Sequence, residues 1–157
     1  MKIMASVLPV QDIDYLVKIA KALGLLCVVV VSSKVQLLEV LQGVPTLQAL
    51  SVTSRNMRLW KIDPNKAARI LKDPEVAAAL TAKRLSSAAS ASAAAAAATP
   101  GTTVDEGGFI LLQEAFTAHE ELVEAKNNGV DAVLLGEELL LGVKAGLKAT
   151  IERWKQP

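Results

Sequence analysis

The sequence Leu26-Cys27-Val28-Val29-Val30-Val31 is apolar throughout and rich in β-branched residues. A run of this kind is typical of a strand that is buried on both faces, as in a parallel sheet. Similar short runs flank it at 3–8 and 47–52, and two more follow at 109–112 and 131–135. The pattern therefore predicts five strands, all of them short enough to belong to one sheet.

A helix is predicted between the first two strands. Asp12 and Asp14 are both in a position to cap its start, and Gly24 follows its last turn, where glycine commonly ends a helix. Apolar residues recur at helical spacing, and those that we expect to face the sheet are Tyr15, Leu16, Ile19, Ala20 and Leu23.

The later strands are joined by helical segments as well. Ser32-Ser33 is expected to start the second helix. Asp63-Pro64 is expected to start the third, because proline needs no amide donor at the first helical position. Further helices are predicted at 117–127 and from 136 to near the end of the chain. Strands that alternate with helices predict an α/β fold with parallel strands and right-handed crossovers.

Residues 73–106 interrupt the alternation with a stretch rich in alanine and serine. Alanine favours helix, but the stretch has too little apolar bulk to build a core of its own. We therefore expect a single domain over 1–157, with 73–106 as an insertion that is helical at first and then a mobile linker.

Composition excludes several classes of function. The chain has 157 residues, and its 17 basic and 16 acidic side chains leave a net charge of +1. This charge gives no sign of a basic surface that binds nucleic acid or an acidic membrane. No apolar run reaches the length of a membrane-spanning helix. The single Cys27 cannot form a disulfide within the chain, which suggests a soluble protein of a reducing compartment. No metal-ligand or cofactor motif is present, so we expect neither.

Four blocks of the sequence, taken in order, resemble indole-3-glycerol-phosphate synthases of the plant or algal type. Residues 5–24 are similar to the family's A-A-V-L-P and L-L-G segment, and 49–57 to its I-N-N/S-R-N/D-L strand and turn. Residues 58–63 resemble E-T-F-E-V-D, and 129–137 resemble G-V-D-A-V-L-V-G-E. The resemblance covers nearly the whole chain outside 73–106.

The resemblance implies that the five strands are strands four to eight of an eight-stranded TIM (β/α) barrel. The family closes an indole ring with loss of carbon dioxide and water, a carbon–carbon lyase reaction of tryptophan biosynthesis. Its catalytic lysines come from the first three strands, to which nothing in this sequence corresponds. The family works in the chloroplast of plants and algae, and otherwise a cytoplasmic location is expected; no targeting sequence is visible here.

The family's acid–base positions are substituted in this sequence. Val30 takes the place of a strand glutamate, and Thr53 takes the place of an asparagine. The catalytic glutamate of the E-S-G motif becomes Gln113 in an ungapped alignment, which also aligns Ala115 with the glycine. With a one-residue slip, Glu114 replaces that glutamate instead. Loss of one positioned acid or base typically lowers a rate by about 10²–10⁴.

The resemblance also implies a site for the substrate phosphate. Arg55 matches a substrate-side arginine, and Gly136 with Glu137 matches the last phosphate loop, where a backbone amide can hold an anion. Other residues have plainer interpretations. His119 is expected at the surface, Lys34 in solvent and Trp60 among the packing residues of the outer helices.

Two functions are therefore open. The first is a synthase-like protein that is inactive alone because strands and acid–base residues are missing. The second is a catalytically degenerate barrel that serves as a binding or assembly subunit, with another chain or a second copy covering its open sheet edges. The sequence does not distinguish a natural truncation from an incomplete gene. A phosphorylated small molecule is the expected ligand.

Overall fold

The fold is built on one sheet of five parallel strands, as the sequence predicts. It is seen in a computed structural model, which describes residues 1–56, 59–97, 108–118, 120–136 and 152, apart from the side chains of 90–97. The strands pair in chain order, and every pairing is parallel. They are β1 (Lys2–Met4), β2 (Val28–Val31), β3 (Ala49–Thr53), β4 (Ile110–Glu114) and β5 (Ala132–Leu134).

Helices connect the strands, which makes this an α/β fold consistent with a partial TIM barrel. They are α1 (Val10–Ala22), α2 (Lys34–Gly43), α3 (Lys66–Leu71), α4 (Pro74–Ala97) and α5 (Glu120–Asn127). Gly24 and Gly129 follow helix ends with positive φ, the backbone conformation for which glycine is suited. No helix in the described part of the chain is long and apolar enough to cross a membrane. The helix predicted after Gly136 lies outside the described residues.

The described helices α1 to α4 pack on one face of the sheet. Alternate strand residues point to opposite faces, and those in the main hydrophobic cluster with α1 to α4 all share one parity. These strand residues are Ile3, Val29, Val31, Leu50, Val52 and Leu111. The strand residues of the other parity point to the opposite face of the sheet, which we call the inner face. Side by side on this face, across the first four strands, lie Met4, Val30, Ser51 and Leu112. One-sided covering is the arrangement of a barrel wall.

Helix α1 differs from its prediction in both its start and its buried face. Pro9 is the N-cap residue, and no side chain caps the helix, so the expectation for Asp12 or Asp14 was wrong. The buried residues are Ile13, Val17 and Ala20, whereas three residues expected inside are exposed: Tyr15, Ile19 and Leu23. The helix carries two adjacent apolar stripes, and the sheet takes the one that contains Ile13 and Val17.

Among α1 to α4, side chains cap the starts of α2 and α4, whereas α1 and α3 start without a side-chain cap. Ser33 caps α2 as predicted, because its Oγ accepts the Gln36 amide at 3.3 Å. Asp63-Pro64 does not open α3, which begins at Lys66. The aspartate–proline start falls instead at Asp73-Pro74, where Asp73 Oδ1 accepts the amides of Glu75 at 3.0 Å and Val76 at 3.4 Å.

The first turns of α4 belong to the core, although they lie within the alanine-rich stretch. Val76 and Leu80 are buried in the main cluster. Lys83 is also buried and donates to the Pro45 carbonyl at 2.6 Å, while Arg84 binds both the Gly129 carbonyl and Asp131. The extent of an insertion over 73–106 stays a prediction, since 98–107 lie outside the described residues.

Candidate functional site

The carboxyl ends of the strands meet at one edge of the sheet, because all pairings are parallel. Thr53 ends β3, Glu114 ends β4, and the two are register partners on the inner face. Neighbouring strands lie about 4.8 Å apart, so these side chains flank one small volume. Thr53 is buried, and the Glu114 side chain is 13% exposed. A hydroxyl and a carboxylate therefore lie side by side at the carboxyl edge.

Gln113 points away from this pair. Its register partner is Val52, and it lies on the helix-covered face, where its Oε1 is buried without a hydrogen bond among the described residues. Direction of the side chain thus favours the slipped alignment, in which Glu114 takes the glutamate position. Ala115 has φ of 65°, a left-handed conformation for which glycine is suited, so its backbone agrees with the ungapped alignment, which aligns it with a glycine. Of Gln113 and Glu114, Glu114 is the one on the inner face.

Lys2 is a charged partner of Glu114 that sequence reasoning did not identify. The Lys2 ammonium and the Glu114 carboxylate form an ion pair that joins β1 to β4 past the two strands between them. Such a pair requires the sheet to curve toward its inner face. Lys2 remains 48% exposed, so the pair is open to solvent on the lysine side. The alternation of β1 could have predicted that Lys2 points to the inner face, since Lys2 and Met4 lie on the same face of the strand.

The inner face behind this pair is uncharged. Val30 is buried there and cannot transfer a proton. Its register partner Ser51 is also fully buried, and its hydroxyl has no hydrogen bond in the described part of the molecule. The face therefore offers one carboxylate at its rim and small or apolar groups below.

A loop after β3 presents Arg55 at the same edge. The Arg55 amide donates to Thr53 Oγ1 at 3.2 Å, and its guanidinium donates to the Trp60 carbonyl at 3.2 Å. Arg55 also pairs with Ile62 as an isolated antiparallel bridge, which folds the loop back on itself. Trp60 is 68% exposed with φ of 54°, so its expected packing role was wrong. The loop, not a helix, determines its position.

Lys66, the first residue of α3, is a second cation near this loop that the sequence did not single out. Its Nζ donates to the Arg55 carbonyl at 3.4 Å. Burial lowers the pKa of Lys66, and the nearby charge of Asp63 opposes that shift in part. Asp63 itself is bound by Arg69, which lowers the pKa of the Asp63 carboxyl. Two cations, one from the loop and one from the start of α3, thus lie beside the carboxyl edge of β3.

The remaining predicted residues divide between this edge and the undescribed part of the chain. Gly136 follows β5 at the carboxyl edge. Glu137 and His119 lie outside the described residues. Lys34 is half-exposed and forms ion pairs with Asp73 and Glu75, whose hydrogen bonds raise the pKa of its ammonium.

The arrangement places one carboxylate, that of Glu114, at the rim of the inner face, and the cations of Arg55 and Lys66 beside the neighbouring end of β3. No group of three His, Cys, Asp or Glu side chains in the described ranges is arranged to hold a metal ion. The class that fold and edge define is an α/β protein with a curved parallel sheet and the described helices α1 to α4 on one side of it, consistent with part of a TIM barrel. In that class, ligands bind at the carboxyl ends of the strands.

Comparison with known proteins adds one distant relative. No family model matches the chain. The chain is 24% identical over 139 residues to the indole-3-glycerol phosphate synthase of Microcystis aeruginosa. The similarity covers 88% of this chain and 38% of that synthase, so the chain spans about two fifths of the relative's length. This is a weak similarity, in agreement with the resemblance of the four sequence blocks.

Proposed function

We propose that this chain is the strand-four-to-eight part of a barrel related to indole-3-glycerol-phosphate synthases, and that its carboxyl edge binds a phosphorylated sugar derivative of an aryl amine. The observation that carries the proposal is the pairing of Thr53 with Glu114 on the inner face. Thr53 aligns with an asparagine of the family, and Glu114 aligns with the catalytic glutamate of the E-S-G motif when the alignment is slipped by one residue.

Glu114 is the acid–base residue of this proposal. Thr53 Oγ1 accepts the Arg55 amide, so its hydroxyl proton is directed elsewhere and is available to a ligand oxygen. The Lys2 ammonium forms an ion pair with the Glu114 carboxylate, and Lys2 is half-exposed. A ligand anion that attracts Lys2 leaves Glu114 free to accept a hydrogen bond from the ligand.

Arg55 and Lys66 are the cationic side of the proposed site. A phosphate carries up to two negative charges and favours guanidinium donors, which bind it through parallel hydrogen bonds. The lowered pKa of Lys66 indicates a partly desolvated ammonium, and an anion in contact with it offsets that cost. The backbone amide of Gly136 is the candidate contact from the neighbouring part of the edge.

Binding is tested with carboxyphenylamino-deoxyribulose phosphate and the full chain. The exposed Trp60 beside Arg55 serves as a fluorescence reporter, and calorimetry gives the affinity. Arg55→Met is expected to weaken binding at least about tenfold, the loss of one charge-assisted contact. Lys21→Met, an exposed lysine on α1 that removes the same charge, is the matched control. Equal affinities for the two variants, or no binding by the parent chain, would refute the site.

Turnover by the chain alone is expected to be undetectable. Val30 supplies no proton, and the family's lysines lie in strands outside the similarity. Formation of indole glycerol phosphate is measured with and without a chain that carries the first three strands of a synthase. Turnover by the chain alone would show that Lys2 and Glu114 suffice and would refute the proposed incompleteness.

A second candidate function is that of a binding or assembly subunit without chemistry. The presence of Val30 on the inner face favours this second function. Val30 takes the place of the family's strand glutamate, and the sheet forms although that acid–base group is lost. In that case the chain binds the ligand, but adding a chain that carries the first three strands gives no turnover. Turnover in that mixture that Glu114→Gln lowers would favour the synthase-like function instead.

A further inference from the structure

Helix α1 carries an apolar stripe that the core does not use. Tyr15, Ile19 and Leu23 recur every four residues and are 65%, 38% and 69% exposed. Leu25 and Leu26 continue the stripe at 48% and 50% exposed, and the amino group of Met1 donates to the Leu26 carbonyl. Together these side chains form a patch on the order of several hundred Å², a size that commonly marks an interaction surface.

The patch borders the outer edge of the sheet. β1 is the first strand in the sheet order and pairs only with β2 in the described part of the chain. An unpaired strand edge offers a row of amides and carbonyls to another strand. Within this sheet, each strand–helix unit presents a strand edge and an apolar helix flank to the next unit. At the end of the sheet, β1 and α1 present the same two surfaces.

The opposite edge of the same sheet is its complement. β5 pairs only with β4 among the described strands, and all three of its residues are exposed. Val133 is 41% exposed and shares the helix-covered face with Gln113, whereas Leu134 is 42% exposed on the inner face. β1 and β5 run in the same direction, so the β5 edge of one molecule continues the β1 edge of another as a parallel sheet.

We propose that two copies of this chain associate head to tail into a closed dimer, with the β1 edge and the α1 stripe of each copy against the β5 edge of the other. In this arrangement Val133 of one copy lies next to Ile3 of the other, on the face that α1 covers. There it contacts the flank formed by Tyr15, Ile19 and Leu23. The net charge of +1 puts no strong repulsion between two copies. The proposal rests on the proposed partial barrel, and not on its chemistry.

Analytical ultracentrifugation of the full chain over a range of concentrations tests the association. The parent chain is expected to be dimeric, and the double substitution Ile19→Lys with Leu23→Glu is expected to weaken the dimer at least about tenfold. Val35→Lys on α2 is the matched control, since Val35 is equally apolar and 64% exposed but lies outside the patch. Circular dichroism and the urea midpoint establish that each variant folds.

A mixing experiment distinguishes the head-to-tail contact from a symmetric one. Val133→Lys damages only the β5 side, whereas the double substitution damages only the α1 side. Each variant alone is expected to be monomeric, and the mixture is expected to recover a heterodimer through the one undamaged pair of surfaces. A monomeric parent chain, a dimer insensitive to both changes, or a mixture that stays monomeric would overturn the proposal.

The result is separate from that of the ligand site. Calorimetry with carboxyphenylamino-deoxyribulose phosphate reports on the carboxyl edge, and sedimentation reports on the outer edges. A monomer that binds the ligand refutes the association and leaves the proposed function standing. A dimer that binds no ligand refutes the proposed function and leaves the association standing.

Discussion

Lys83 is a buried amine. Its replacement should lower the free energy of unfolding clearly or hardly at all, depending on the residue that replaces it. Its side chain lies in the core beneath α4, and its Nζ donates to the Pro45 carbonyl at 2.6 Å. Lys83→Ala removes three methylene groups, worth about 0.8 kcal/mol each, and adds a cavity. We expect the free energy of unfolding to fall by about 2–3 kcal/mol.

Lys83→Met keeps most of that packing and removes the charge. The variant loses a hydrogen bond from a charged donor, worth about 1.5–3 kcal/mol, but it also removes the cost of burying an ammonium, which is of similar size. The net change should be within about 1 kcal/mol. Lys21→Met, at an exposed position on α1, is the control and should change stability by less than about 0.5 kcal/mol.

The pH dependence gives the sign of the burial cost. Burial lowers the pKa of Lys83 in the folded chain below its ordinary value of 10.5. Between those two pKa values the unfolded chain binds more protons, so the stability of the parent rises with pH relative to Lys83→Met. The advantage of methionine is therefore largest below the lowered pKa and shrinks as the pH approaches 10.5.

Urea unfolding followed by circular dichroism, at neutral pH and at about pH 9.5, measures all four proteins. The reasoning would be refuted by a methionine variant as unstable as the alanine variant at neutral pH. It would also be refuted if the stability of the parent, measured relative to that of the methionine variant, stayed level or fell as the pH rises.

Three further outcomes are expected. Gly43→Ala should lower stability by about 1–2 kcal/mol, because the added Cβ would lie 2.6 Å from a Val10 methyl group; Val10→Ala in the same chain should restore part of it, as thermal unfolding will show. Glu114→Gln breaks an ion pair whose lysine is half-exposed, so stability should change by less than about 1 kcal/mol, and a larger loss would mean that the pair is structural. Burial raises the pKa of the Cys27 thiol, so alkylation by iodoacetamide should be slow in the folded chain and fast in urea; equal rates would contradict its burial.

The central strands were predictable from the sequence because strands that are buried on both faces leave continuous apolar runs. Residues 26–31 contain β2, and the Thr53 and Glu114 ends of β3 and β4 fall within a residue or two of their prediction. Helix faces were less predictable. Two apolar stripes compete on α1, and only the packing against β1 and β2 decides that Ile13 and Val17 are buried rather than Tyr15.

The candidate site was predictable in residue type but not in direction. Gln113 and Glu114 are adjacent, and a one-residue change of register moves a side chain to the other face of a strand. Only the pairing of β3 with β4 determines which of them lies beside Thr53. The ion pair of Lys2 with Glu114 depends on the curvature of the sheet, which no local pattern encodes.

The position of the anchoring residues in α4 has a consequence for how this gene can change. Val76, Leu80, Lys83 and Arg84 attach the helix to the molecule through its first three turns, before the polyalanine begins. A repeat tract is prone to gain or lose codons during replication. Because such changes fall downstream of the attachment points, the sheet and its carboxyl edge can tolerate a helix whose length drifts between generations.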